Sequence, residues 1–389
     1  MALAVLLAAI YPAGPPPAGA TTPATPPPVN STMPPSTPTV DVVANIPYYQ
    51  GGPTLDAFLP IAVRTHRPAL VTVHGGGWQG GGDAEFAPLA MQAAQEQGWA
   101  VFSVNYRLDE NDRRSWPDEL HDVQAAVRFI AHNADAFDID PTQLVMIGES
   151  AGGNLVALIS SLGTAEPVSG QPAGSVGAGT TVTGTEVAGQ RLTNAPTSLA
   201  VNVNAVALWS PPTDIKNLEP NPGTKAAPAC GADPACNYVW DNHDVQQYMG
   251  CTKEACPQKY REASPVDQVQ PTTRPTFISN STDEVVPLAQ AQAYVAALQA
   301  DGVVHQFQVV NGNLHALQTS PEVWGPTVTF LSAHLAGTTP GPAAAGSDEH
   351  RSLTPVLVTV AALAVLIGLV AAVHRRRARL RPTAQEVPA

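Results

Sequence analysis

Charge is scarce in this chain, and positive charge is scarcest. Asp, Glu, Lys and Arg make up 13% of 389 residues, with 19 Lys plus Arg against 32 Asp plus Glu and a formal net charge of −13. Such a balance excludes nucleic acid as the main partner. The shortage runs deeper than the total, because Arg375, Arg376, Arg377, Arg379 and Arg381 crowd the last stretch and leave the rest more acidic still. Cysteine is nearly as rare. The only four, Cys230, Cys236, Cys251 and Cys256, fall in one short region. In an exported domain they read as two local disulfides. Pairing Cys230–Cys236 with Cys251–Cys256 closes the shortest loops, although four cysteines allow three pairings. A zinc site is the rival reading, with spacings wider than those of a CxxC knuckle. No internal repeat is present.

Charge is missing altogether from Val356 to Val373, VLVTVAALAVLIGLVAAV. That run is long enough to cross roughly 30 Å of hydrocarbon as a helix. A buried core helix is the alternative, but it would show a polar face, and this run shows none. The expectation is a transmembrane helix over 354–374. The arginines of the 375–389 tail stay in the cytoplasm, so the domain is extracellular on a single-pass anchor in the cell membrane. At the other end, Met1 to Ile10 is short and apolar, with Ala18-Gly19-Ala20 downstream. Residues 1–20 read as a secretory signal that lacks the usual Lys or Arg before its apolar run. The 39 Pro and 31 Gly are spread unevenly. They mark a Pro/Thr-rich linker at 21–40, a stalk at 336–353 and a flexible surface insertion at 168–198. What remains, 41–335, is long enough for one large domain.

Within that domain short apolar runs recur: Leu70 to Val73, Ala100 to Val104, Leu144 to Ile147, Ala205 to Trp209, Thr276 to Ser279 and Gln306 to Val310. They read as buried parallel strands. Leu89 to Gln97, Leu120 to His132 and Leu288 to Ala300 carry apolar residues at helical spacing. The alternation predicts an α/β fold, a doubly wound, mostly parallel sheet covered on both faces, with its active groups at the C-terminal ends of strands.

Two motifs follow predicted strands directly. Gly148-Glu149-Ser150-Ala151-Gly152 lies between the strand ending at Ile147 and an apolar helix, Leu155 to Leu162. A G-x-S-x-G in that setting is a nucleophile elbow: a turn so tight that the flanking positions carry no side chain, with the Ser150 hydroxyl exposed above the sheet. The bland reading is a Gly/Ser turn without chemistry. His74-Gly75-Gly76-Gly77-Trp78 follows the strand ending at Val73. Three glycines there let backbone N–H groups point into a site unobstructed. The donors for a developing oxyanion are then Gly76, Gly77 and Ala151. The bland reading is a flexible loop, of the kind that Gly80-Gly81-Gly82 suggests.

A serine nucleophile needs a base, and the base an orienting acid. Asp283 lies past the strand Thr276 to Ser279, and His315 past the strand Gln306 to Val310. Both sit at strand C-terminal ends in the order serine, acid, base, which makes the expected triad Ser150, Asp283 and His315. Glu284, next to Asp283, is a rival acid, as is Asp214 after the strand ending at Trp209. His305 enters its strand at the wrong end, and His121 and His132 lie on a predicted helix.

Taken together, HGGGW (74–78), NYRL (105–108), DVQAAVRFI (122–130), GESAGGN (148–154), DEVVP (283–287) and a histidine after the last strand resemble the hormone-sensitive-lipase-like and feruloyl-esterase-like branch of α/β-hydrolase carboxylesterases. The resemblance spans about Asn45 to Leu335. It implies an α/β-hydrolase fold and hydrolysis of a small-molecule carboxylic ester, usually short-acyl, with no cofactor or metal. Two features depart from the family's pattern: the 168–198 insertion, and the cysteine-bearing segment from Ala229 to Cys256, where relatives carry cap or lid elements. Rival functions are an amide, formamide or peptide hydrolase on the same triad, and a catalytically inactive surface binding module.

Overall fold

Successive side chains of each central strand fall on opposite faces of one sheet. Val71, Phe102, Met146, Val206 and Ile278 join one buried cluster. Their neighbours Leu70, Val101, Val145, Ala207 and Phe277 join the other. That two-residue period, apolar on both sides, is what a strand buried on both faces requires. The computed structural model describes residues 39–61, 66–108, 116–164, 181–218 and 242–335. Its strands are β1 (Val40–Pro47), β2 (Thr54–Pro60), β3 (Arg67–Val73), β4 (Ala100–Val104), β5 (Ile139–Glu149), β6 (Thr181–Val187), β7 (Gln190–Thr193), β8 (Ala205–Trp209), β9 (Thr276–Ser281) and β10 (His305–Val310). Eight of them form one sheet in the order β1-β2-β4-β3-β5-β8-β9-β10. From β4 to β10 all neighbours run parallel. β2 joins β4 antiparallel and β1 joins β2 antiparallel, so the sheet begins with a hairpin that the sequence pattern did not single out.

The helices are α1 (Ala87–Glu96), α2 (Asp118–His132), α3 (Ala134–Phe137), α4 (Ser150–Leu162), α5 (Asn242–Met249), α6 (Pro257–Glu262), α7 (Leu288–Ala300) and α8 (Ser320–Leu335). α1 and α8 cover one face, through Ala90, Ala93, Val323 and Leu331. α2, α4 and α7 cover the other, through Val123, Leu155 and Tyr294. Local chemistry sets several of their ends. Asp118 and Glu119 occupy the first turn of α2, where the helix dipole favours negative charge. Gly163 (φ +77°) follows α4, and Gly302 (φ +68°) lies just past α7. The chain passes from β3 to β4 on one side and returns to β5 on the other. The gap between β3 and β5 is therefore the topological switch point, where open α/β sheets hold their ligands. Both motifs leave the sheet there.

Part of the expected 168–198 insertion has regular structure. β6 and β7 form an antiparallel hairpin closed by Ala188 and Gly189, both at positive φ, as a two-residue hairpin turn requires. Leu192 is buried. Thr193 exchanges two hydrogen bonds with the Asn133 side chain, each 2.9 Å, at the corner between α2 and α3. Residues 181–193 of this segment thus form a hairpin fastened to the body at Thr193.

Among the described residues no helix is long and apolar enough to cross a membrane. The signal segment 1–20, nearly all of the linker, the stalk, the candidate span at 354–374 and the basic tail lie outside them, as do Cys230 and Cys236. Cys251 and Cys256 are joined as a disulfide with Cα atoms 6.3 Å apart. It closes the connection between α5 and α6. The Tyr260 hydroxyl donates to the Cys251 carbonyl at 2.8 Å across the same turn. Closing so short a loop restrains the unfolded chain by about 2 kcal/mol. The Cys251→Ala/Cys256→Ala double variant should lose about that much stability in urea unfolding followed by circular dichroism.

Candidate active site

Ser150 opens α4 straight off β5, with φ +49°. A side chain in that left-handed region costs roughly 1–3 kcal/mol, so the surroundings must impose it. Two close backbone approaches do so. A Cβ on Gly148 would lie within 3.0 Å of the Gly152 backbone, and one on Gly152 within 3.0 Å of the carbonyls of Val73 and His74. Gly148 therefore lets the turn close on itself, while Gly152 lets it press against the end of β3. Ala151 is the second residue of α4, so its N–H is among the first-turn donors that have no acceptor within the helix.

The glycine loop begins one residue beyond β3. Gly76 and Gly77 take φ +92° and +63°, conformations open to glycine at little cost. The Gly76 carbonyl accepts from the N–H groups of Gln79 (3.1 Å) and Gly80 (3.0 Å), which folds the loop into a tight turn. The Tyr106 hydroxyl lies 3.0 Å from the carbonyls of both His74 and Gly75. Its ring stacks on His74 at 4.3 Å. His74 is buried, and burial pulls its pKa down from 6.5 to about 4, against the opposing hydrogen bond to the Gly75 carbonyl. The imidazole is neutral and acts as packing for the loop.

His315 lies between β10 and α8. Its Nδ1 meets a carboxylate, and that carboxylate belongs to Glu284. The expected acid was Asp283; the carboxylate against the imidazole is that of its neighbour and rival, Glu284. Asp283 is exposed in the turn after β9, where its N–H donates to the Gly312 carbonyl at 2.9 Å. Glu284 is fully buried. Its Oε1 accepts from the Ser210 hydroxyl (2.8 Å) and the Ser281 N–H (2.7 Å), leaving Oε2 for the imidazole. This carboxylate sits at the expected strand end, one residue after Asp283, where the turn doubles back and the Ser281 N–H holds the Glu284 side chain inward. Ser210 also accepts from the Ala316 N–H at 3.0 Å, so one hydroxyl ties the acid to the backbone beside the histidine. Burial alone would lower the His315 pKa. The charge and hydrogen bond of Glu284, with a further contribution from Glu149, outweigh it and raise the pKa above its ordinary value.

Strand register brings these groups to one edge. Glu149 pairs with Trp209, and Trp209 with Ser279, so Ser150, Ser210 and the turn carrying Glu284 cap adjacent strands. The rival residues lie elsewhere. The Asp214 N–H is bound by Gln290 of α7 at 2.6 Å, and its carboxylate accepts from Asn217 at 2.8 Å. His305 is at the opposite end of β10, against the Val303 carbonyl. His121 is on α2, and His132 at its end lies 3.1 Å from the Thr193 hydroxyl. Among the described residues no group of His, Cys, Asp and Glu is arranged to hold a metal ion. Sequence reasoning missed Ser210 and Ser281, which carry no motif of their own, and left Tyr106 without a role inside the NYRL motif. It also missed Glu149, which stood in the elbow motif as an unassigned position.

Known proteins share this chain's sequence pattern and fold. The BD-FAE family pattern matches residues 55–298, a stretch that holds both glycine motifs, Ser150 and Glu284 but stops before His315. Carboxylesterase NlhH of Mycobacterium tuberculosis is 36% identical over 115 residues, 30% of this chain and 35% of the relative. Esterase LipQ of the same organism is 28% identical over 264 residues, 67% of this chain and 53% of the relative. The chain thus spans about a third of the one and about half of the other. Among solved structures, a truncated carbohydrate esterase from gut microbiota superposes with a TM-score of 0.54 at 22% identity, over 72% of this chain and 91% of that one. A thermophilic esterase from the Planctomycetes species Thermogutta terrifontis gives 0.53 at 19% identity, over 79% and 97%. The fold is that of the α/β-hydrolases. Within that class, the chain belongs to the BD-FAE family.

The neutral His74 has a measurable consequence. Above pH 6.5 it is unprotonated whether the chain is folded or not. As the pH falls towards 4, the unfolded chain takes up a proton that the folded one refuses. A shift from 6.5 to about 4 corresponds to about 3 kcal/mol of stability lost across that window. The gap in unfolding free energy between the wild type and His74→Gln should shrink by about that amount from pH 7 to pH 4 in urea melts. A constant gap would show that His74 protonates freely in the fold.

Proposed function

We propose that this protein hydrolyses carboxylic esters, of short acyl chain by preference, through an acyl-enzyme on Ser150. The observation that carries the reading is the pairing of half-buried His315 with buried Glu284, anchored by Ser210 and Ser281 on the strand ends next to the elbow. The carboxylesterase and esterase names of the relatives support the same bond type. Glu284 at Nδ1 fixes the tautomer of His315 and leaves Nε2 free to take the Ser150 proton. Ser150 attacks the ester carbonyl, and its oxygen becomes negative. The N–H groups of Gly76, Gly77 and Ala151 receive that charge, and each such donor is worth on the order of 10²–10³ in rate. The imidazolium returns the proton to the leaving alcohol. Water, deprotonated by His315, then releases the acid and restores the serine.

With the uncharged run Val356–Val373 and the arginines after it, the reading includes an enzyme displayed outside the cell on a single membrane anchor. Protease shaving of intact cells should remove the domain while sparing an epitope placed after Arg381. Protection of the domain would reverse the orientation.

Ser150→Ala should abolish p-nitrophenyl acetate hydrolysis and fluorophosphonate labelling while keeping the circular dichroism spectrum. Wild-type turnover in that variant would sink the assignment. Glu284→Gln should lose roughly 10²–10⁴ in kcat, whereas Asp283→Asn stays within a few-fold of wild type. The reverse order would return the acid to Asp283. Because the base must be neutral and its pKa is raised, kcat/KM should fall on the acid side about a midpoint above the ordinary histidine value.

A further inference from the structure

The elbow holds one side chain for which the mechanism above has no use. Glu149 stands between β5 and Ser150 and is almost wholly buried. A carboxylate taken out of water is expensive unless it is paired or protonated. Its Oε1 accepts from the backbone N–H of Gly75, the residue just before the oxyanion glycines. Gly75 is shaped around it, for a Cβ there would lie within 3.0 Å of the Glu149 carboxylate and of the Ser150 Cβ. Glu149 also interacts electrostatically with the base. Its charge raises the His315 pKa, and His315 in turn lowers that of Glu149.

We propose that Glu149 is a positioning residue that pins the oxyanion loop to the nucleophile turn through the Gly75 N–H and stabilises the imidazolium of His315 as it forms. The proposal rests on the acyl-enzyme reading. This bond adds a directed hydrogen bond to the close backbone approach of the two segments at Gly152. With it, donor and nucleophile are set by one side chain adjacent to the serine. Proton bookkeeping is unchanged: the Ser150 proton passes to His315, and Glu149 takes none.

The other groups facing Glu149 modulate it. Burial pushes its pKa up to about 7, His315 opposes that, Glu85 adds to it, the Gly75 hydrogen bond opposes it, and Glu284 adds to it. Tyr106, whose own pKa burial raises well above 10, lies close enough to feel the Glu149 charge. Glu149 therefore gains its charge across neutral pH. It and His315 titrate as a coupled pair.

The test uses Glu149→Gln and Glu149→Ala in the full chain. Gln keeps an oxygen for the Gly75 N–H and loses the charge; Ala loses both. In histidine-selective NMR, the His315 midpoint should move to lower pH in both variants; an unchanged midpoint overturns the charge role. The Gly75 amide proton should move upfield in Ala and stay downfield in Gln; no movement in Ala overturns the pin. With p-nitrophenyl acetate, Ala should lose roughly 10–100-fold in kcat with KM nearly constant, and Gln should recover most of it. Wild-type kcat in Ala would overturn positioning. Should Ala fail to fold, the Gln titration and its acid-limb shift decide the case. Should the wild type show neither hydrolysis nor fluorophosphonate labelling, the acyl-enzyme reading fails, while the two NMR measurements still report whether Glu149 holds Gly75 and His315.

Discussion

Two stretches of backbone that leave the sheet side by side, one after β3 and one after β5, press together with no side chain between them. Gly152 against the carbonyls of Val73 and His74 is the point of contact. The left-handed turn at Ser150, the start of α4 and the placement of the glycine loop all follow from that approach. It exists because β3 and β5 are parallel neighbours at the switch point, with Val73 in register with Gly148. A methyl group at Gly152 would wedge the two loops apart, so glycine there is a steric requirement rather than a source of mobility.

Much of this was legible in the residues, for reasons that differ from element to element. The six central strands announce themselves because burial on both faces demands unbroken apolar runs. The order serine, acid, histidine follows from strand ends alone. The first hairpin escaped because β1 alternates weakly at the sheet edge, with Val42 exposed and Asn45 in a left-handed bulge. No pattern in the residues separates Asp283 from Glu284 as the partner of His315. Their difference arises in the turn, where the Ser281 N–H and Ser210 hydroxyl gather the Glu284 carboxylate. Ser210 itself is a lone polar residue at the end of a strand. Only the fold reveals that it spans Glu284 and the backbone beside His315.

The connection between α5 and α6 is a different kind of element. Tyr248 near the end of α5 stacks on Trp78 at 4.0 Å and meets Trp116 edge-on at 6.0 Å. Trp78 closes the glycine loop. The segment that carries the disulfide is thus packed directly on the residue that follows Gly75-Gly76-Gly77. Burial of three large rings at one contact gives that segment a hold on the loop out of proportion to its length.

The neck at Thr164 shows what the molecule permits. Its hydroxyl accepts from the Val201 N–H at 2.9 Å, and its carbonyl accepts from Arg128. The chain therefore leaves the domain and re-enters it at nearly the same place, and the hairpin of β6 and β7 is separately fastened to α2. Because the closure entropy of a chain that returns to its point of departure grows only as the logarithm of its length, a change of length between Thr164 and Val201 costs the central strands little.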